Sequence, residues 1–200
     1  MRPLPLPRPR RGARWLFLPL LACALGIQGT PPPGGRADTR PFREYEVKAA
    51  FLYHFTKFVE WPLEALGGPE QPFVLGILGE DPFGAALDPL VGRSVKGHAL
   101  EIRHYRSAEE AAACHLLYVS RSEWPRAARA LDSVSSRPIL TVGDADGFAE
   151  GGGMIGLLTR GERVRFEINL RAAREAGLQL SSKLLYLAVR VLGAGPGAGP

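Results

Sequence analysis

The sequence predicts an α/β fold: a mainly parallel sheet flanked by helices, an α/β sandwich, with a C-terminal antiparallel hairpin. Three observations predict it. Residues 73–78 (FVLGIL), 114–120 (CHLLYVS) and 138–144 (PILTVGD) are short, nearly continuous apolar runs, the pattern of strands covered on both faces. Segments with helix-capping signals separate these runs, and strand–helix alternation implies parallel pairing through crossovers. The run ERVRFEINL then changes to strict alternation: Val164, Phe166, Ile168 and Leu170 against Arg163, Arg165, Glu167 and Asn169. That period of two marks a strand with one wet face.

The elements follow in order. Residues 44–60 place Val47, Phe51, Phe55 and Phe58-Val59 at three-to-four spacing, one face of an amphipathic helix. Trp61-Pro62 stops it, because a residue before proline avoids the helical region. After the strand at 73–78, Asp81-Pro82 has the form of an N-cap followed by proline, opening a short helix to about Leu90. Residues 99–106 read as a half-exposed strand with Leu100, Ile102 and His104 inward. Ser107 and Glu110 have capping-box spacing. Ser122 is placed to cap a helix over 122–134. The stretches MIGLLTR and ERVRFEINL form the hairpin, turning at Arg160-Gly161-Glu162. The closing stretch carries one or two helices, with Ser181 or Ser182 as a cap and Leu184, Leu185, Leu187, Ala188 and Val191 as the apolar face.

The ends differ in character. Arg2, Arg8, Arg10, Arg11 and Arg14 precede WLFLPLLACALG at residues 15–26. A basic start, a short apolar run and small residues after it describe a signal peptide over 1–24. Removing it takes the formal charge from +5 to near zero, which argues against nucleic acid as a partner. Ala22-Cys23-Ala24 suits ordinary cleavage after Ala24. Leu20-Leu21-Ala22-Cys23 resembles a lipobox, in which Cys23 would be lipidated. Both remain open, and a lipid anchor is the only membrane contact the sequence offers. Residues 25–42 read as a flexible linker, 43–192 as the domain and 193–200 as a disordered tail. Cys114 has no intramolecular partner within the domain and is expected to be a buried thiol.

Chemical motifs are scarce. Gly151-Gly152-Gly153 enters a strand without the helix N-terminus, Lys and Ser/Thr of a phosphate loop, so a turn with positive φ angles is the expectation. GDADG at 143–147 lacks the later ligands of a calcium loop; an Asx turn after a strand is expected there. His54, His98, His104 and His115 lack metal spacing. No nucleophile elbow or Cys–His signature occurs. No catalytic residues, cofactor or metal are therefore expected.

The segments VKAAFLYHFTKFVEWP, LGILGEDPFG, CHLLYVS, ILTVGDADGFAEGGGMIGLL, RVRFEINL and AGLQLSSKLLYLA together resemble the successive motifs of the YfiR/HmsC-like family over about residues 45–190. The resemblance implies a periplasmic, non-enzymatic regulator. It would bind and repress a membrane signalling protein, a diguanylate cyclase, and so control cyclic-di-GMP and biofilm formation until an envelope signal or an outer-membrane lipoprotein relieves it. A homodimer is implied as well. Family members use cysteine pairs, whereas this domain has only Cys114, which puts redox control by an internal disulfide in doubt. Tyr53, His54 and Trp61 on the first helix, with Arg165, Glu167 and Asn169 on the hairpin, are the expected partner- or ligand-binding residues. The alternative is a periplasmic small-molecule-binding sensor working with another membrane receptor such as a histidine kinase. Its pocket would lie at the carboxyl ends of the parallel strands, near Gly79, Ser120 and Asp144.

Overall fold

The computed structural model of the chain describes residues 40–194; the expected signal peptide, Cys23, the linker up to residue 39 and the tail from residue 195 lie outside the described residues. Helix α1 runs Arg40–Phe58. Its buried stripe is Lys48, Ala49, Leu52, Phe55 and Thr56, spaced three to four apart. The expected stripe through Val47 and Phe51 is therefore turned by one position: Val47 is 41% exposed and Lys48 faces in. The helix also ends two residues early. Val59–Glu60 forms a short strand, β1, paired antiparallel with Gln179–Leu180, and the Phe58 carbonyl accepts from Ser181 N.

One turn of helix, α2 (Leu63–Leu66), follows Pro62. β2 (Phe73–Leu78) is buried throughout, as its composition predicts. The segment after Asp81-Pro82 is a 3-10 helix, Gly84–Leu90. Asp81 accepts from Phe83 N, so it caps the turn rather than an α-helix. β3 (Ser94–Val95) and β4 (His98–Tyr105) make a tight hairpin, and His104 points outward to Asp81 rather than inward. A 3-10 turn, Glu110–Ala113, leads to β5 (Leu116–Val119). A 3-10 segment, Arg121–Arg126, precedes α3 (Ala127–Val134). Ser122 caps neither; its hydroxyl accepts from Glu80 N. β6 (Leu140–Gly143), β7 (Ile155–Arg160) and β8 (Arg163–Asn169) follow. Gly161, at φ +61°, takes the first position of the β7–β8 turn, the position where a type II′ turn needs glycine. α4 (Leu170–Glu175), β9 (Gln179–Leu180), α5 (Ser182–Leu187) and β10 (Arg190–Leu192) close the fold. Ser181 caps α5 through Leu184 N.

The main sheet has the order β10-β8-β7-β6-β5-β2-β4-β3. It is mixed rather than mainly parallel: β3–β4 and β7–β8 are antiparallel, and β10 returns parallel to β8. The hairpin is therefore not the sheet's border. Val191 belongs to β10 rather than to the last helix. The pleat divides the core into two layers. Phe73, Leu75, Ile77, Leu116, Tyr118, Leu140 and Val142 face α1 and α4. Val74, Leu78, Leu117 and Val119 face α3 and Phe148.

Candidate functional site

β2 feeds a connection toward β4, whereas β5 feeds one toward β6 on the other side of β2. The sheet thus has a switch point between the carboxyl ends of β2 and β5, where open α/β sheets bind ligands. Here the crevice is filled by the protein's own side chains. The 79–80 and 120–123 loops interlock: Ser120 N donates to Leu78 O, and Glu80 N donates to Ser122 Oγ. A Cβ on Gly79 would sit 2.6 Å from Glu123 Cγ. From above, α1 lowers Tyr45 and Lys48 onto Asp144, the residue after β6.

Lys48 Nζ donates to Asp144 Oδ2 at 2.6 Å, and Tyr45 OH donates to the same oxygen at 3.0 Å. Lys48 also pairs with Glu44 Oε1, one helical turn back, and lies 4.4 Å from the centre of the Tyr45 ring. The Arg121 guanidinium donates to the Asp144 carbonyl. The side chains of Lys48 and Asp144 are each 2% exposed. Tyr118, beneath them on β5, faces the same carboxylate. Among the described residues neither the Tyr118 hydroxyl nor Asp144 Oδ1 makes a hydrogen bond of good geometry, although the hydroxyl is near enough to stabilise the carboxylate. Burial alone would raise the Asp144 carboxyl, but the Lys48 ammonium and the tyrosine hydroxyls outweigh it and hold it below the usual carboxylate range. Burial, with the Asp144 charge, pushes the Tyr118 and Tyr45 phenols well up, so both remain protonated donors. GDADG is thus not a free Asx turn, because its first aspartate is an anchor for α1.

Gly151-Gly152-Gly153 is not a phosphate cradle. Its three amides are already spent on Gly147, Ala149 and Phe148 carbonyls. Only Gly152 has a positive φ, +103°. Gly153 and Gly143 instead leave room for the Phe148 ring, which a Cβ at either would strike.

The expected site residues separate into two groups. Tyr53 and His54 lie on the outer side of α1, half-buried and exposed respectively. They line a groove of about 340 Å³ with Pro89 and Arg93. The Tyr53 ring carries Lys57 and Arg93 over it. Arg165 is exposed and lines a groove of about 630 Å³ with Arg160 and Val189. Trp61 is buried, stacked edge-on against Phe73, with its Nε1 donating to His115 O. Glu167 and Asn169 are buried too, so the expected wet face does not extend past Arg165. The cause is β10: Arg190 lies opposite Glu167 and pairs with both Glu167 and Glu150. Asn169 donates to Ala149 O and caps α4 through Ala172 N.

The sequence reading missed Tyr45, Lys48 and Tyr118. Their signals were a lysine inside the inward stripe of α1 and a tyrosine inside an aliphatic strand. Among the described residues no group of three His, Cys, Asp or Glu could hold a metal ion, and no helix is long and apolar enough to cross a membrane. Cys114 is a buried free thiol, and burial pushes its pKa up to about 12.

Two solved structures resemble the chain weakly. One is an ABC domain in complex with L-Trp from Streptococcus pneumonia, 14% identical, with 60% of this chain and 55% of that chain covered and a TM-score of 0.40. The other is a conserved domain protein from Vibrio cholerae O1 biovar El Tor, 12% identical, with coverages of 74% and 60% and a TM-score of 0.46. The chain thus spans little more than half the length of either. No curated protein matches the chain. The family comparison covers most of the described domain: residues 45–189, from Tyr45 of the buried cluster to the residue before β10, match the YfiR/HmsC-like family, and the chain belongs to it.

Proposed function

We propose that this domain is a periplasmic regulator that binds a membrane signalling protein, a diguanylate cyclase, and holds it in its inactive state. Cyclic-di-GMP and biofilm formation would then be its outputs. Family membership over residues 45–189 carries this reading. The chemistry of the domain agrees with a binding role. Its buried carboxylates are each matched to a cation, Asp144 to the buried Lys48 and Glu167 to the exposed Arg190, and these pairs tie elements together. What faces solvent is surface: Tyr53 and His54 beside their groove, and Arg165 on the hairpin. We assign these three to the partner contact, with Trp61, Glu167 and Asn169 holding that surface in shape. A soluble domain restrains an enzyme only by binding one of its states better than another. Lipidation of Cys23 would raise the local concentration at the membrane.

Titrating the purified chain onto the detergent-solubilised cyclase tests the assignment. Saturable binding is expected. The triple change Tyr53→Ala, His54→Ala and Arg165→Ala should weaken it at least about tenfold, since aromatic and arginine anchors dominate interfaces, while leaving the Tm near its starting value. Equal binding by the triple variant would remove these residues from the interface. Binding to a histidine kinase instead would transfer the regulator to another receptor.

A second reading, a small-molecule input site at the strand ends, is favoured by one observation. Asp144 Oδ1 and the Tyr118 hydroxyl are buried, and among the described residues neither makes a hydrogen bond of good geometry, although buried polar atoms are nearly always satisfied.

A further inference from the structure

We propose that the crevice at the switch point is a primary-ammonium site whose resident occupant is the Lys48 side chain, and that an external primary ammonium ion can take its place and release the first half of α1 from the sheet. The proposal rests on the second reading above and not on the identity of the membrane partner.

The donor set matches that ligand. An ammonium group carries three N–H donors and no acceptor, and it favours carboxylates and the face of an aromatic ring. Lys48 Nζ meets Asp144 Oδ2, Glu44 Oε1 and the Tyr45 ring. The charges around it are Glu44 and Asp144 against Lys48, with Arg121 held on the Asp144 carbonyl. Removing the Lys48 ammonium would leave an uncompensated buried carboxylate, so the crevice selects for a cation in its place. The site also has remaining capacity: among the described residues neither Asp144 Oδ1 nor the Tyr118 hydroxyl that faces this carboxylate makes a hydrogen bond of good geometry.

A groove borders the outer member of the cluster, Glu44. A groove of about 460 Å³ between α1 and the β7–β8 hairpin is lined by Arg43, Glu44, Val47, Thr159, Glu162 and Val164. Glu44 is the wall between the groove and the crevice. Its Oε1 accepts from Thr159 Oγ1 at 2.7 Å on the groove side and from Lys48 Nζ on the other. An ammonium ion arriving by the groove meets Glu44 first and competes there with Lys48. Val47 and Val164 offer apolar surface for a short carbon chain. Lys48 and Tyr45 are α1's polar anchors to Asp144, so losing them frees the first turns of the helix while Leu52 and Phe55 stay in the core.

The test uses ethylammonium as probe, with ethanol and tetramethylammonium as controls. In the full-length wild-type chain, millimolar ethylammonium should speed amide hydrogen exchange in residues 43–50 roughly tenfold and leave β2, β5 and β6 unchanged. In Lys48→Met the resident ammonium is gone, and ethylammonium should raise the Tm saturably by about 2–4 °C. Neither control should do so. The double variant Lys48→Met/Asp144→Asn, which leaves no buried charge at the crevice, should not respond. Exchange that is unaltered in the wild type overturns the proposal, whether or not Lys48→Met folds. An equal response to ethanol or tetramethylammonium overturns the ammonium assignment. None of these readouts involves a cyclase, so failure here leaves the regulatory reading standing, and success does not depend on it.

Discussion

Replacing Lys48 by Met should cost more than almost any other single polar change in the domain. Methionine keeps most of the stem that packs in the core and removes only the ammonium. Asp144, 2% exposed at its side chain, would then keep only neutral partners, the hydroxyls of Tyr45 and Tyr118. Removing one partner of a buried ion pair costs about 3–5 kcal/mol, a large share of the roughly 5–15 kcal/mol that holds a domain together. At about 2–4 °C per kcal/mol for a domain of this size, the Tm should fall by about 6–20 °C. Thermal unfolding followed by circular dichroism reads this directly. The double variant Lys48→Met/Asp144→Asn removes both charges and should recover part of the loss, because the cost lies in the orphaned carboxylate. A Tm within about 2 °C of wild type for Lys48→Met would refute the reasoning, and so would a double variant whose loss equals the sum of the two single losses.

Other outcomes follow from the same geometry. His115 Nδ1 accepts from Val74 N and its Nε2 faces Ala65 O, so the ring is held neutral. Burial lowers its pKa below the ordinary value of 6.5. Its contribution is therefore present above about pH 6.5 and lost as pH falls, because the unfolded chain takes up the proton first. Between pH 7.5 and 5 the Tm of the wild type should fall more steeply than that of His115→Asn, and parallel curves would count against the tautomer. Gly153→Ala would drive a Cβ into the buried Phe148 ring and should cost about 1–3 kcal/mol in chemical denaturation; a neutral effect would mean the loop can shift. Cys114, buried with its pKa near 12, should resist a thiol-reactive dye in the folded state and react fully in denaturant. Fast labelling of the native chain would contradict its burial.

Much of the fold was legible because continuous apolar runs have few alternatives. β2, β5 and β6 fall within the predicted segments, and Gly161 marked the hairpin turn. What failed had physical causes. Hydrophobic spacing alone assigns the first helix its face and leaves Lys48 out of it; a carboxylate placed by β6 some 96 residues away pulls Lys48 inward and turns the stripe. Alternation in 163–169 implied one wet face. Yet a three-residue strand, β10, which read as the end of a helix, brings Arg190 over Glu167 and buries it. Short elements such as β1, β9 and α2 have no period to read. Strand order points to the strand ends near Gly79, Ser120 and Asp144, where the structure has a filled crevice rather than an open pocket, and Tyr45, Lys48 and Tyr118 depend on tertiary packing that spacing does not carry.

The central claim is regulation of a membrane signalling enzyme from the periplasm, and the amount of cyclic-di-GMP in cells tests it most directly. The chain should be expressed with residues 1–24 in cells carrying the candidate cyclase, and compared with the same chain lacking those residues and with cells lacking the chain. Cyclic-di-GMP is predicted to fall only when the chain carries residues 1–24, and to fall less with the Tyr53, His54 and Arg165 triple variant. Levels that stay the same with and without the chain carrying residues 1–24 would contradict this reading.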